Sequence, residues 1–197
     1  MPAKLPRSFY SRPTLDVAPD LLGKILVRIK GKTVTSGRIV EVEAYRNADD
    51  PASHAHPGKT PRNILMFGEA GHAYVYFIYG MYFCVNVVTE RTGTAGACLI
   101  RALEPLDGIG VMKKRRHIEK TIDLANGPGK LCQAMSINLA LNGEDYLGNT
   151  LFIVDDGYAG FRIKRSPRIG IQYAVDKRWR FFIHGNSYVT KNKFNAL

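Results

Sequence analysis

Glu41 and Glu43 stand two residues apart in "GRIVEVEAY", and Tyr45 follows at the same spacing. Successive side chains of a strand face opposite sides, at a rise of about 3.3 Å per residue. The two carboxylates therefore share a face, roughly 6.5–7 Å apart along the backbone. Such a pair suits acid/base work, and like-charge repulsion is expected to raise one of the two pKa values. Two glutamates on a strand are more often exposed or ion-paired. This pair gains weight from its company: Tyr45 on the same face, His54 in the following loop, and the uncharged aromatic run "YVYFIYGMYFCVN" from Tyr74 to Asn86.

These residues need elements to position them. "TVTSGRIVEVEAY" alternates, with Val40, Val42 and Ala44 on one side and Ile39, Glu41, Glu43 and Tyr45 on the other, which predicts one core face and one polar face. Upstream, "TLDVAPDLLGKILVRI" predicts a short helix capped by Thr14 and ending near Gly23, then a strand through Ile29. "NADDPASHAHPGKTPRN" reads as a turn-rich loop, with Thr60 capping a brief helix whose first residue is Pro61. "HAYVYFIYGMYFCVNVV" has strand composition on both sides of Tyr79-Gly80, and Gly80 suits the positive φ of a tight reversal; the expectation is a hairpin with Tyr79 near its tip.

Further on, "GACLIRALEP", "NTLFIVDD" and "RWRFFIHG" read as strands, and "LDGIGVMKKRRHIE" and "GPGKLCQAMSI" as helices. The run Lys113 to Arg116 is expected to be a solvated helix face. No regular βαβ rhythm appears, which favours an α+β fold. The expected architecture is a single compact domain over residues 1–197, with a mixed, mostly antiparallel sheet, a protruding β-hairpin and peripheral helices.

Composition narrows the function classes. Hydrophobic residues make up 45% and charged residues 23%, as in a packed globular chain rather than a disordered one. Lys and Arg number 28 against 17 Asp and Glu, a net charge of +11 whose field attracts polyanions and makes nucleic acid the leading partner. Cys84, Cys98 and Cys132 form no Cys-x-x-Cys pair, so neither a disulfide set nor a cysteine metal cage is indicated, and a reducing compartment is expected. "MPAKLPRSFYSRP" lacks the apolar stretch of a signal peptide. The aromatic run is shorter than the ~20 residues of a membrane helix, so no membrane association is expected.

The blocks "GRIVEVEAY", "DPASHA", "TPRN", "YVYFIYGMYFCVN", "RALEP", "GPGKLCQA" and "SPRIGI" occur in this order. Together they resemble the alkyladenine (3-methyladenine) DNA glycosylases from about Gly37 to the C-terminal strands. The resemblance implies a monofunctional enzyme that flips alkylated or deaminated purines out of duplex DNA, hydrolyses the N-glycosidic bond and so initiates base excision repair. By the same resemblance, Glu43 is the general base and Arg101 helps to hold the attacking water. Tyr45 and Tyr76 sandwich the extruded base, His54 lines the same wall, and Asn86 crowds out the amino group of guanine. Tyr79 fills the gap left in the duplex. Glu41 is assigned a structural role. No metal or other cofactor is implied.

The expected partner is double-stranded DNA containing damaged purines, met by a monomer in the cytoplasm at the nucleoid of a bacterium, or in the nucleus of a eukaryote. Two departures stand out: Asn47 where the family favours glycine, and His56-Pro57, which is expected to reshape the wall beside His54. The rival reading is a noncatalytic nucleic-acid-binding protein that stacks bases on an aromatic β-ribbon.

Overall fold

A computed structural model describes residues 2–196. In chain order its elements are β1 (Ala3–Lys4), α1 (Arg7–Tyr10), α2 (Thr14–Asp20), β2 (Ile25–Lys30), β3 (Thr33–Tyr45), β4 (Ala73–Ile78), β5 (Tyr82–Val88), β6 (Ala97–Pro105), α3 (Ile109–Arg116), α4 (Pro128–Met135), β7 (Leu151–Asp155), β8 (Ile163–Ser166) and β9 (Arg180–Ile183). Short 3-10 turns include Ile64–Phe67 and Lys193–Ala196. All strand pairs are antiparallel, in the order β1-β7-β2-β3-β6-β5-β4, with β8 and β9 branching from β3.

The branch at β3 positions the site. Along one edge, residues 33–38 pair with β2 and Glu41–Glu43 pair with β9; along the other edge β3 pairs with β6. The register with β6 slips between Ile39 and Val42, a bulge that bends the strand where its carboxylates lie. Strand β3 is therefore enclosed, and the polar face expected of it is buried and ion-paired. Val40, Val42 and Ala44 are buried on one side, and Ile39, Glu41 and Glu43 are fully buried on the other. Alternation in sequence marks two chemically different faces, but curling of the sheet decides that both are covered. The main core joins this strand to Leu26, Ile100, Leu103, Ile153 and Phe181, with Leu131 and Met135 of α4 packed against them. The whole is one α+β domain with a curled antiparallel sheet.

Three local expectations are corrected. Pro13, not Thr14, occupies the cap position of α2; the Thr14 hydroxyl instead bonds Glu90 Oε1 at 2.7 Å and Thr89 Oγ1 at 2.9 Å. No helix starts at Thr60: its N–H donates to Asn63 Oδ1 at 2.7 Å to close a turn, and a 3-10 helix begins only at Ile64. The basic run of α3 is not simply solvated. Arg115 donates to the Ala134 carbonyl, and Arg116 to the Leu124 carbonyl and the Gln133 side chain, which fastens α3 to α4.

Strands β4 and β5 form the expected hairpin, closed through the Ile78–Tyr82 pair. Tyr79 (φ 54°) and Gly80 (φ 67°) are both left-handed at its tip. Gly80 takes that region without cost, whereas a tyrosine does so against the steric preference of its Cβ.

Candidate active site

A cavity of about 330 Å³ lies where β3, β4, β5 and β6 meet the start of α4 and the loop between β8 and β9. This is at the small end of ligand pockets, roughly 300–1,000 Å³. Tyr45, His54, Tyr76, Tyr79, Asn86 and Arg101 all line it. Glu43 does not: its side chain is fully buried behind the wall, yet three wall residues hold it. The Tyr45 hydroxyl donates to Glu43 Oε2 at 2.8 Å, Arg101 Nη1 to the same oxygen at 3.2 Å, and the Ile169 backbone N–H to Oε1 at 2.7 Å.

Arg101 joins the two carboxylates, since its Nε also donates to Glu41 Oε1 at 2.9 Å. Glu41 receives a second guanidinium from Arg180 at 2.7 Å and the Thr190 N–H at 2.8 Å. Burial alone would raise the Glu41 pKa, but the charges of Arg101 and Arg180 and the hydrogen bonds outweigh it and hold that carboxyl below its ordinary range. The expected rise through like-charge repulsion is thus reversed at Glu41, because an arginine stands between the pair. Burial likewise opposes the charge of Arg101, but Glu43 and Glu41 more than compensate and keep its pKa raised. Burial and the charge of Glu43 lift Tyr45 well above the usual phenol value, so it keeps the proton it donates.

The aromatic wall is fixed by contacts that sequence cannot list. His54 Nδ1 lies 2.9 Å from the Tyr74 hydroxyl, and its ring meets Tyr76 edge-on at 4.7 Å. Burial, followed by the charge of Arg62, lowers the His54 pKa, so the imidazole is neutral at pH 7. Asn86 Nδ2 donates to the Tyr74 carbonyl at 2.9 Å across the hairpin, which locks the amide against the cavity. Tyr79 is 75% exposed at the tip, and its neighbour Met81 is 65% exposed. His56 bonds the Ala48 carbonyl at 2.8 Å and is not among the residues that line the cavity. Asn47 does not adopt the left-handed region.

The structure adds residues to which the sequence reading gave no role. Ile169, Gly170 and Ile171 close one side of the cavity, and Pro128 and Gly129 another. A Cβ on Gly129 would come within 2.8 Å of the Tyr82 ring, so glycine lets α4 approach the hairpin. Arg168 forms a bidentate pair with Asp50, both N–O distances being 2.6 Å, and donates to the Ala44 carbonyl at 2.9 Å. Its guanidinium lies 4.6 Å from the Tyr45 ring centroid. The segment "SPRIGI" was visible in the sequence, but a buried arginine and a backbone N–H carry no reactive signature. Among the described residues, no cluster of three or more His, Cys, Asp and Glu is placed to hold a metal ion. No helix among them is long and apolar enough to cross a membrane.

The sequence compares closely with known proteins. The family model described as methylpurine-DNA glycosylase matches residues 8–187. A relative from Alkaliphilus oremlandii is 49% identical over 201 residues, covering 95% of this chain and 99% of its own length. One from Methanocella arvoryzae is 51% identical over 191 residues, covering 95% and 96%. One from Koribacter versatilis is 43% identical over 197 residues, covering 98% and 95%. Each is provisionally named a 3-methyladenine DNA glycosylase.

Proposed function

This chain belongs to the methylpurine-DNA glycosylase family, and on that premise we propose that it is a cofactor-free, monofunctional glycosylase that excises alkylated or deaminated purines from duplex DNA. DNA is the substrate that membership of this family carries with it. A base inside the duplex hides its C1′ from water, so the nucleotide must swing out before it can react. The vacated space is taken by Tyr79, whose neutral, exposed ring suits a stacked interior better than any of the surrounding cations.

The observation that carries this reading is the seating of Glu43, whose three hydrogen-bond donors all belong to cavity-lining residues. Two donors occupy Oε2 and one occupies Oε1. A carboxylate offers about four lone-pair sites, so Oε1 keeps one for a water. In the reaction the water oxygen bonds to C1′ as the C1′–N bond breaks. The water proton passes to Glu43, and the bonding pair leaves with the purine. An N-alkylated purine is already cationic and departs readily, so the protein chiefly stabilises positive charge on the sugar and delivers water. Arg101 holds Glu43 in place beside that water.

Tyr45 and Tyr76 supply stacking worth roughly 1–3 kcal/mol per base, with a cation–π gain for cationic lesions. Asn86, locked by Tyr74, supports exclusion of guanine through crowding of its amino group. We place the enzyme, as a monomer, with the chromosome: at the nucleoid in a bacterium, in the nucleus in a eukaryote. The noncatalytic alternative retains one supporting observation, the full burial of Glu43, which requires the water to reach Oε1 through the wall.

Free-base release decides between them. Glu43→Gln is expected to bind a lesion-bearing duplex as the wild type does while releasing base about 10²–10⁴-fold more slowly. Release at the wild-type rate removes Glu43 from the chemistry, and no release by the wild type from any methylated or deaminated duplex supports the noncatalytic reading. No lysine is assigned as a Schiff-base nucleophile, so borohydride is expected to trap no protein–DNA adduct.

A further inference from the structure

Resting on the assignment of Glu43 as general base, we propose that the C-terminal segment Thr190–Asn195 is a positioning device for the reaction. It acts through Arg180, Glu41 and Arg101. The match to the family model ends at residue 187, so this segment lies outside the residues that the model matches. It is nevertheless wired into the buried charges. The Thr190 N–H donates to Glu41 Oε2 at 2.8 Å, and Asn195 Oδ1 accepts from Arg180 Nη2 at 2.9 Å. Asn195 Nδ2 closes the ring by donating to the Thr190 carbonyl at 3.0 Å.

Arg180 is fully buried, and its other two nitrogens are also engaged: Nε donates to Glu41 Oε1 at 2.7 Å and Nη1 to Ser166 Oγ at 3.0 Å. Glu41 Oε1 is thus shared by two guanidinium groups, those of Arg180 and Arg101. The chain Asn195–Arg180–Glu41–Arg101–Glu43 alternates acceptor and donor from tail to general base, and its two arginines balance its two glutamates.

The consequence is geometric. Arg101 is a planar fork held on one side by Glu41 and on the other by Glu43. If Arg180 loses Asn195, its grip on Glu41 Oε1 relaxes, Arg101 follows Glu41, and the Glu43 oxygens move relative to the cavity. Reaction rates are sensitive to such shifts: a misplacement of about 1 Å costs on the order of 10²-fold. Binding of the lesion is made by the ring faces of the tyrosine wall and the basic surface, whereas this chain meets the wall at the Tyr45 hydroxyl, which donates to Glu43, and at Arg101. The segment is therefore expected to act on the rate of the bound complex and not on affinity.

The experiment uses the full-length protein with Asn195→Ala, Asn195→Asp and Glu43→Gln. Each is measured for single-turnover base release from a hypoxanthine duplex, for Kd on a duplex carrying an abasic-site analogue, and for Tm. Asn195→Ala is expected to slow release about tenfold, with Kd within twofold of wild type and Tm little changed. Asn195→Asp keeps an acceptor for Arg180 and is expected to restore most of the rate. A wild-type release rate in Asn195→Ala, with Glu43→Gln inactive, overturns the proposal while leaving the assignment of Glu43 standing. A loss that Asn195→Asp does not rescue, or one matched by equal losses in affinity and Tm, shows a merely structural role and also overturns it. If Glu43→Gln releases base normally, the assignment of Glu43 falls and this proposal falls with it.

Discussion

Glu41 and Glu43 differ by two positions in sequence and by their partners in space. Both are fully buried, but Glu41 faces two arginines and a backbone N–H, while Glu43 faces one arginine, a phenol and a backbone N–H. The pKa of Glu41 is lowered from its ordinary 4.5, so the unfolded chain binds more protons than the folded one between the two values. The stabilisation is present above pH 4.5 and is lost as pH falls through the lower folded value. Glu41→Gln is expected to cost about 3–5 kcal/mol at neutral pH, because Arg101 and Arg180 lose a buried counter-charge. Its Tm should also fall less steeply than that of the wild type below pH 4.5, as thermal melts across pH will show. His54 runs by the same logic at higher pH. Its lowered pKa makes it a neutral wall residue that stabilises the fold above 6.5 and opposes it as acid protonates the unfolded chain.

Among the elements, the hairpin β4–β5 separates stability from function most clearly. Its strands are held by the Ala73–Val87 to Ile78–Tyr82 ladder, and its tip is closed by the Met81 N–H donating to the Ile78 carbonyl at 3.3 Å. A left-handed conformation costs Tyr79 about 1–2 kcal/mol while three-quarters of the residue stays exposed. Asparagine tolerates that region better. Tyr79→Asn is therefore expected to match or slightly exceed the wild-type Tm while lowering capture of the flipped nucleotide about tenfold, read by base-analogue fluorescence in a lesion duplex. Unchanged capture would take Tyr79 out of the wedge role. The loop between β8 and β9 shows the opposite design: Arg168 and Asp50 bolt it to the loop after β3, which holds the Ile169 N–H against Glu43.

At the scale of the whole molecule, a net charge of +11 surrounds a site whose charges are nearly balanced inside. The two populations should respond differently to salt. Affinity for undamaged duplex is expected to fall on the order of 10³-fold between 50 and 200 mM salt if about six phosphates are neutralised. The single-turnover rate of the saturated complex should change little, because buried ion pairs are weakly screened. Binding isotherms and release rates measured over one salt series check both. A rate that fell in step with affinity would mean that exposed charges take part in the chemical step.

The sequence by itself determined the α+β class and the antiparallel hairpin with Tyr79 at its tip, which follow from strand alternation and turn chemistry, both local along the chain. Tyr45, His54, Tyr76, Asn86 and Arg101, which the family resemblance singled out, line the cavity, whereas Glu43 lies behind its wall. Legibility failed where partners come from afar. Nothing near Glu41 announces Arg180 or Thr190, more than a hundred residues away. Nothing in the alternation of β3 says that β9 and the sheet's own curl will cover its polar face. Only the tertiary structure decided which carboxylate is clamped by two arginines, which touches the cavity wall, and which backbone N–H completes its seat. A buried charge takes its energy from whatever surrounds it in three dimensions, and chain neighbours are a minority of those surroundings.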